Sequence, residues 1–183
     1  MSERRQLLRQ RTAAIHQQLD DQVGNFTSLD EYVAYLKGMI AFRADVEKDI
    51  SRSPIPTEFA DYRPNLILAE LHRDLAATGG QDRNTPSTEP SIAEKPLSRD
   101  ALLGLLYVLE GSSLGARILA KRAERLGLHE ETGAAHLKKQ SASLGNWNAF
   151  CALLETADKV DEDAMVESAM ETFARALRAF EKV

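Results

Sequence analysis

The stretch SRDALLGLLYVLEGSSLGARILAKRAERLG, residues 98–127, decides the fold class, because it combines a long helical pattern with three interior glycines. Ser98 is a favoured N-cap residue and Gly127 a favoured stop, so the pattern predicts one helix from about residue 98 to residue 126. The apolar block 101–109 inside it has roughly half the length that a membrane-spanning helix needs. We therefore expect a core helix of a helical protein.

Outward from this helix, the helical spacing of apolar residues predicts six further helices. Three precede it, at about 2–23, 28–50 and 64–77, and three follow it, at about 131–143, 146–158 and from 161 onward. Residues 78–96, rich in glycine and proline, are expected to form a loop rather than a domain boundary. The prediction is an all-α fold of about seven helices with one core, in a single domain over residues 1–183.

Local signals specify how several of these helices begin. Ser28 and Glu31 form a capping-box pattern, Asp161 is an N-cap residue, and Pro64 suits the first position of the third helix. The second helix is expected to bury one apolar face, made of Leu29, Val33, Leu36, Ile40 and Val46.

Composition excludes several classes of protein. The 183 residues include 25 alanines and 24 leucines, against 23 valines, isoleucines and threonines together, which is too few β-branched residues for a β-sandwich or barrel. A net charge of −5 argues against a nucleic-acid-binding protein, whose affinity rests on lysine and arginine. No targeting or membrane segment is visible, and Cys151 is the only cysteine, so we expect a cytoplasmic protein with no membrane partner.

His16 is the first candidate for chemistry. It lies beside the apolar stripe of the first helix, and Asp20 follows it by four residues, so the two side chains share a face. A carboxylate so placed can hold one imidazole nitrogen and leave the other free for a metal. Arg9, two turns earlier, could meet an acidic group on the same ligand. The simpler alternative is a half-buried histidine with an ion pair.

The glycines of the 98–126 helix are the second candidate. Gly104, Gly111 and Gly115 each cost roughly 1 kcal/mol relative to alanine in a helix interior. Gly111 and Gly115 share a face with Tyr107, which permits a close approach to the backbone and a bend, where Ser112 adds a hydroxyl. The alternative is close helix packing. A histidine with a carboxylate and a flat glycine face together suggest a flat metal-bearing ligand between two helices, and haem is the obvious candidate.

Three segments carry a resemblance to a known family. Residues 8–20 (LRQRTAAIHQQLD), residues 106–117 (LYVLEGSSLGAR) and residues 147–150 (WNAF) resemble those of bacterial haem oxygenases, and most closely the group that makes biliverdin for bacteriophytochromes. The resemblance covers nearly the whole chain. It implies an all-α haem oxygenase fold and an enzyme that opens haem b (heme b), both substrate and cofactor, at a meso carbon. The implied products are biliverdin, ferrous iron and carbon monoxide.

The resemblance also implies roles for individual residues. His16 would be the proximal iron ligand, Asp20 would orient its imidazole, and Arg9 would meet a haem propionate. Gly111, Ser112 and Gly115 would form the catalytic distal helix, bent close over the ring so that dioxygen is directed towards one meso carbon. The further haem-binding residues implied are Thr12, Tyr107, Arg117 and Lys121.

Two positions depart from the family pattern. Ser112 stands where many haem oxygenases have an aspartate that holds a water network, and Asn146 stands where a basic residue often precedes the tryptophan. A clamp on the second propionate would then come from Arg117, Lys121, Lys138 or Lys139. The implied partners are dioxygen, an electron donor such as a ferredoxin or reductase, and a bacteriophytochrome as acceptor of biliverdin.

Two alternatives remain open from the sequence. One is a non-catalytic haem-binding protein of the same fold, and the other is a haem-free helical binding module in which His16 is a core residue. The other histidines, His72, His129 and His136, are expected at the surface, and Cys151 is expected to be a buried, inert thiol.

Overall fold

A computed structural model describes residues 3–59, 62–80 and 95–181, and within them the chain forms α-helices and no strand. The all-α prediction is therefore confirmed. The predicted loop at 78–96 lies mostly outside the described residues. The helices are α1 (Glu3–Val23), α2 (Leu29–Arg52), α3 (Leu68–Ala77), α4 (Arg99–Arg125), α5 (Ala135–Ala142), α6 (Leu144–Thr156) and α7 (Glu162–Phe180), with one 3₁₀ turn at Thr57–Phe59.

Helix α4 is the centre of the packing. It contacts α5, α6 and most extensively α7, and α7 in turn packs against α1 and α2. A Cβ atom added at Gly104 would collide with the carbonyl oxygen of Met165 on α7, so the two backbones cross there at the closest possible approach. In the part of the chain that the structure describes, helices from before and after the proline-bearing segment pack against one another.

By length and mean hydropathy alone, α4 could cross a membrane. More than half of its most apolar stretch is buried inside the bundle, however. The core helix of a helical protein can also be as long and as apolar as a membrane-spanning helix.

The predicted helix starts are confirmed where the capping residue is local. The Ser28 hydroxyl accepts a bond from the Glu31 amide at 3.2 Å, and the Glu31 carboxylate accepts one from the Ser28 amide, which completes the capping box. Ser98 and Asp161 cap α4 and α7 through the amides of Ala101 and Ala164.

Two helix starts were predicted wrongly, and remote partners explain both. Helix α3 begins at Leu68 rather than Pro64, because the preceding segment 62–67 is not helical and donates its Asn65 and Ile67 amides to carboxylates of α4 and α2. Helix α5 begins at Ala135 rather than near residue 131, because the Asp74 carboxylate of α3 caps it by accepting from two of its amides, at 2.9 and 2.8 Å.

Two predictions of burial were also wrong. Leu29 is 46% exposed, since it is the first residue of α2 and lies outside the packed face. His136 is fully buried rather than at the surface. Its Nδ1 lies 2.6 Å from an Asp74 oxygen, and its Nε2 lies 3.2 Å from the Tyr35 hydroxyl.

Burial is the main cause that lowers the pKa of His136 below its ordinary value, and the Asp74 carboxylate opposes it only in part. The neutral ring uses both neighbours, since Nδ1–H donates to Asp74 and the Tyr35 hydroxyl donates to Nε2. If the ring were protonated, Nε2 would carry a proton and could no longer accept one from the Tyr35 hydroxyl. His136 is therefore neutral in the folded protein.

Protein stability is expected to fall as the pH drops below about 6.5, the ordinary pKa of histidine. In that range the unfolded chain binds a proton at residue 136 that the folded chain does not, so each pH unit costs up to about 1.4 kcal/mol until the folded pKa is reached. His136→Asn keeps a donor towards Asp74 and removes this titration. Urea unfolding across the pH range should show a flatter slope for this variant than for the parent.

The matched control is His129→Asn, which changes an exposed histidine. If the two variants had the same pH slope as the parent, the assignment of a neutral, buried His136 would be wrong.

Candidate functional site

One face of α4 changes from buried to exposed at Gly111. Up to residue 110 the helix is buried almost all round, but beyond it Leu114 is 50% exposed and Ile118 is 57% exposed. Helical periodicity places Tyr107, Gly111, Leu114, Gly115 and Ile118 on one stripe. A stripe of half-exposed large apolar residues and glycines is a surface suited to cover an apolar partner.

This stripe lies beside α1, because the residues at and just beyond its ends meet α1 or the residue that follows it. At one end the Tyr107 hydroxyl interacts with the Thr12 side chain of α1. One turn beyond Ile118, the Arg122 guanidinium donates to the carbonyl oxygen of Gly24, directly after α1, at 2.9 Å. Eleven residues of α1, 13–23, lie between these contacts, and the two contacts are about 18 Å apart along the helix. We call the space between the two helices the α1–α4 cleft.

His16 lies inside this bracketed stretch of α1. It follows Thr12 by one helical turn, so it shares the face of α1 that turns towards α4. Its side chain is 58% exposed, and its ring packs on one side against Phe173 of α7, with ring centroids 5.3 Å apart. The imidazole is thus supported from behind and open in front, as a metal ligand needs to be.

Asp20 is close to His16 but does not hydrogen-bond to it. The nearest approach is 3.7 Å, from His16 Nε2 to Asp20 Oδ1, which is longer than a hydrogen bond. Both side chains are more than half exposed. The structure thus places the predicted pair on one face, but with Asp20 as a nearby charge and not yet as the acceptor that orients the ring.

The two glycines of the stripe are not needed for packing. A Cβ atom at Gly111 would lie 3.6 Å from Trp147, an ordinary contact, and a Cβ at Gly115 would have no atom within 4 Å. Gly104 on the same helix is the opposite case, because its Cβ would collide with α7. The Cβ position of Gly115 is therefore open, so the packing of the described residues does not explain this glycine, and a role in ligand binding stays a prediction.

The family pattern gives the position of Ser112 a role in holding water in the cleft, but here the Ser112 hydroxyl is engaged elsewhere. Its hydroxyl donates to the Leu109 carbonyl oxygen at 2.6 Å and accepts from Gln140 of α5 at 3.0 Å. Sequence reasoning missed Gln140, because no local pattern reports which residue of α5 meets α4. Ser113 also donates to a carbonyl three residues back, and such bonds are associated with helix bending.

The Tyr107 end of the cleft is cationic. Burial raises the pKa of Tyr107, while the hydrogen bond with Thr12 and the charges of Arg9 and Arg5 pull the pKa down. Arg9 is exposed there, so it is available to an acidic group on a ligand. Cys151 is buried, as predicted, and the Arg5 guanidinium donates to its sulfur at 3.5 Å.

The other predicted basic residues divide into two groups. Arg117 and Lys121 are exposed on α4, one turn apart and on the flank of the stripe. Lys138 is exposed on α5, whereas Lys139 is paired with Glu70 of α3 at 2.9 Å and is therefore engaged elsewhere.

The arrangement suits a ligand that brings its own metal. Among the described residues there is no group of three or more metal-binding side chains. One open imidazole opposite a flat apolar face can hold a planar metal complex by a single axial bond. A separate groove of about 620 Å³ between α2 and α7 contains none of these residues, and its Arg175 is already paired with Asp45 and Asp49.

Three comparisons with known proteins agree with one another. The family model described as "Heme oxygenase" matches residues 3–182. The chain is 30% identical over 152 residues to "Heme oxygenase PigA" of Pseudomonas aeruginosa, across 81% of this chain and 75% of that protein. Its fold is similar to that of NO- and CO-bound heme oxygenase from Neisseria meningitidis, with a TM-score of 0.74 at 23% identity, over 98% of this chain and 90% of that one.

Alanine substitutions at two glycines of α4 should change stability in opposite directions. Gly115→Ala adds a methyl group to open space and improves helix propensity, so the ligand-free protein should gain up to about 1 kcal/mol. Gly104→Ala overpacks the α4–α7 crossing and should lose about 1–3 kcal/mol or more. Urea unfolding of both variants measures the difference. A loss of stability in Gly115→Ala would show that this glycine serves packing after all.

Proposed function

The chain belongs to the heme oxygenase family, and we propose that its haem substrate binds in the α1–α4 cleft with His16 as the iron ligand. The function of the protein is the oxidative degradation of haem to biliverdin with dioxygen. The observation that carries the site is the position of His16, open towards a glycine-bearing stripe and bracketed by two helix contacts. We infer that the same haem is also the cofactor that activates dioxygen.

The residues of the cleft fit haem in shape and chemistry. The half-exposed Leu114 and Ile118 offer apolar surface to the macrocycle, and the missing side chain at Gly115 leaves room for it close to the α4 backbone. The exposed imidazole of His16 would hold the iron. Arg9 and Tyr107, at the cationic end, suit the carboxylate of a propionate.

The chain's own groups then control what reaches the ring. His16 would hold haem on one side, and Phe173 supports the imidazole against rotation. The backbone at Gly111 and Gly115, which carries no side chain, would allow a close approach on the other side and so restrict the orientation of a small ligand. Bound haem supplies the redox chemistry at its iron. Arg117 and Lys121 are candidates for the second propionate, and their contacts would set the rotation of the ring.

Proton delivery is the step in which Ser112 matters most. Its only proton is engaged by the Leu109 carbonyl oxygen, and its oxygen accepts from Gln140. In this arrangement Ser112 cannot donate a proton into the cleft. We therefore assign proton delivery to ordered water bound at the exposed backbone of the stripe, with Ser112 able to contribute only after its hydroxyl rotates.

The remaining assignments extend the same proposal. The other expected products are carbon monoxide and ferrous iron, and electrons would come from a separate ferredoxin or reductase. A bacteriophytochrome is a candidate acceptor of biliverdin, and the cytoplasm is the proposed location. The single buried cysteine supports a reducing compartment.

Replacement of His16 tests the proposed ligand directly. His16→Ala should weaken hemin binding by more than about tenfold, since loss of the groups that merely orient a metal ligand already costs 10- to 100-fold. The Soret band of the complex should shift as the axial imidazole is lost. Because the side chain is mostly exposed, the unfolding free energy of the ligand-free protein should change by no more than about 0.5 kcal/mol.

His129→Ala is the matched control, since it removes an exposed histidine from the loop before α5. Unchanged hemin affinity and spectrum in His16→Ala would overturn the ligand assignment. The same titration with imidazole added should restore the Soret position of His16→Ala and leave the control unaffected.

A turnover assay separates the enzyme from a protein that only binds haem. Hemin complexed with the parent protein should lose its Soret band and yield a bilin when dioxygen and a reductant are supplied. Gly115→Leu fills the open space beside the stripe and should reduce hemin affinity or turnover at least about tenfold, by steric exclusion. A stable haem spectrum in the parent under these conditions would contradict the assigned activity.

A further inference from the structure

A buried polar cluster lies behind the cleft, at the turn of α4 directly before Gly111. Its central members are Glu110 of α4 and Arg43 of α2, and each is only 1% exposed. The non-helical segment 62–67 contacts both, since Asn65 accepts from Arg43 and donates to Glu110. Two opposite charges so deeply buried are costly unless their polar atoms find partners.

One oxygen of Glu110 has all the partners it needs. Its Oε1 accepts from the Tyr62 hydroxyl at 2.6 Å and from the Asn65 amide at 2.9 Å. Burial raises the pKa of Tyr62, and the Glu110 carboxylate raises it further, so Tyr62 remains a donor. The residue before Gly111 is therefore tied to the non-helical segment at two points.

The other oxygen of Glu110 has no partner among the described residues, and neither has Nη1 of Arg43. These two atoms belong to the same locality, because Arg43 Nη2 donates to the Asn65 carbonyl oxygen at 2.9 Å while Glu110 accepts from the amide of that residue. The charges of Arg43 and Glu110 also interact. A buried anionic acceptor near a buried cationic donor, neither with a hydrogen-bond partner among the described residues, is the setting in which proteins hold an internal water.

We propose that an internal water joins Glu110 Oε2 to Arg43 Nη1, and that Glu110 is a positioning residue that fixes the turn of α4 carrying Gly111. Its importance for the reaction rests on the proposed function, because Gly111 matters only if the stripe covers haem. Gly111 has no side chain with which to hold its own place, and Trp147 contacts it on one side only. The hydrogen bonds of the neighbouring Glu110 hold this turn of α4 in place.

The first test uses the protein without haem. Glu110→Gln keeps the shape of the side chain but places an amide donor where the carboxylate accepts, opposite the Arg43 cation. Amide hydrogen exchange over 111–115 should rise about tenfold, the effect of losing one buried hydrogen bond. Trp147 is the only tryptophan, and its contact with Gly111 means that its fluorescence should change as well.

Glu47→Gln is the matched control. Glu47 also pairs with Arg43, at 3.3 Å, and also accepts an amide of the non-helical segment, from Ile67 at 2.8 Å, but it lies on α2. We expect faster exchange near Ile67 and no change over 111–115. An equal effect of both variants on 111–115, or no effect of Glu110→Gln, would overturn the positioning role.

A second variant keeps the test decisive if Glu110→Gln does not fold. Tyr62→Phe removes one donor to Glu110 and leaves both charges in place, and it should raise exchange over 111–115 in the same way. A crystal structure of the parent tests the water directly. An ordered water within hydrogen-bonding distance of both atoms supports the proposal, and a direct Arg43–Glu110 ion pair contradicts it.

Hemin binding then distinguishes this proposal from the proposed function. With haem bound, Glu110→Gln should shift the Soret band and the ratio of biliverdin isomers, whereas Glu47→Gln should not. If α4 exchange changes but His16→Ala binds hemin normally, the positioning role stands and the haem site is elsewhere. If His16→Ala loses hemin but Glu110→Gln leaves exchange, spectrum and isomer ratio unchanged, the haem site stands and the positioning role fails.

Discussion

Helices α1 and α4 both pack extensively against α7 but only sparsely against each other, and this separation is the constraint on which the cleft depends. At its ends Tyr107 meets Thr12 of α1, and Arg122 donates to Gly24, the residue that follows α1. Helix α7 acts as the spacer, and it can do so because Gly104 lets the α4 backbone reach it. Apolar surface stays open at Leu114 and Ile118, and haem bound there, as proposed, would cover it.

The parts of the fold that could be predicted from the sequence are those specified by neighbours in the chain. Ser28 and Ser98 cap helices within their own first turns, so their patterns were sufficient. The helices that carry His16 and the glycines were also predictable, because each has a clear helical period, whereas their role in one site stays a prediction. The parts that could not be predicted depend on side chains from distant segments. Asp74 determines where α5 begins, and Glu110 accepts the Asn65 amide in the segment after Pro64 that does not form helix.

The buried polar groups have a common logic. Arg43, Glu110, Asp74 and His136 lie on the sides of α2, α3, α4 and α5 that meet in the interior, where neutral packing would be cheaper. Charged groups with directional hydrogen bonds specify one arrangement of the helices, whereas apolar contacts allow neighbouring helices to shift slightly along each other. A cleft that must present one glycine face to one histidine gains from that specificity, since a shift of α4 by a fraction of a turn would replace Gly111 and Gly115 with larger side chains.

The remote cap on α5 has a consequence for the order in which the molecule opens. An eight-residue helix is far too short to be stable by itself, so α5 depends on its packing against α4 and on the Asp74 carboxylate of α3, which holds its first amides. We expect α5 to open more readily than the α4–α7 pair, which is the most extensively packed in the bundle. Because Gln140 lies on α5, such a local opening would release the Ser112 oxygen while α4 and α7 stay packed. Partial opening of α5 would thus change the hydrogen bonding of α4 through the side chain of Gln140.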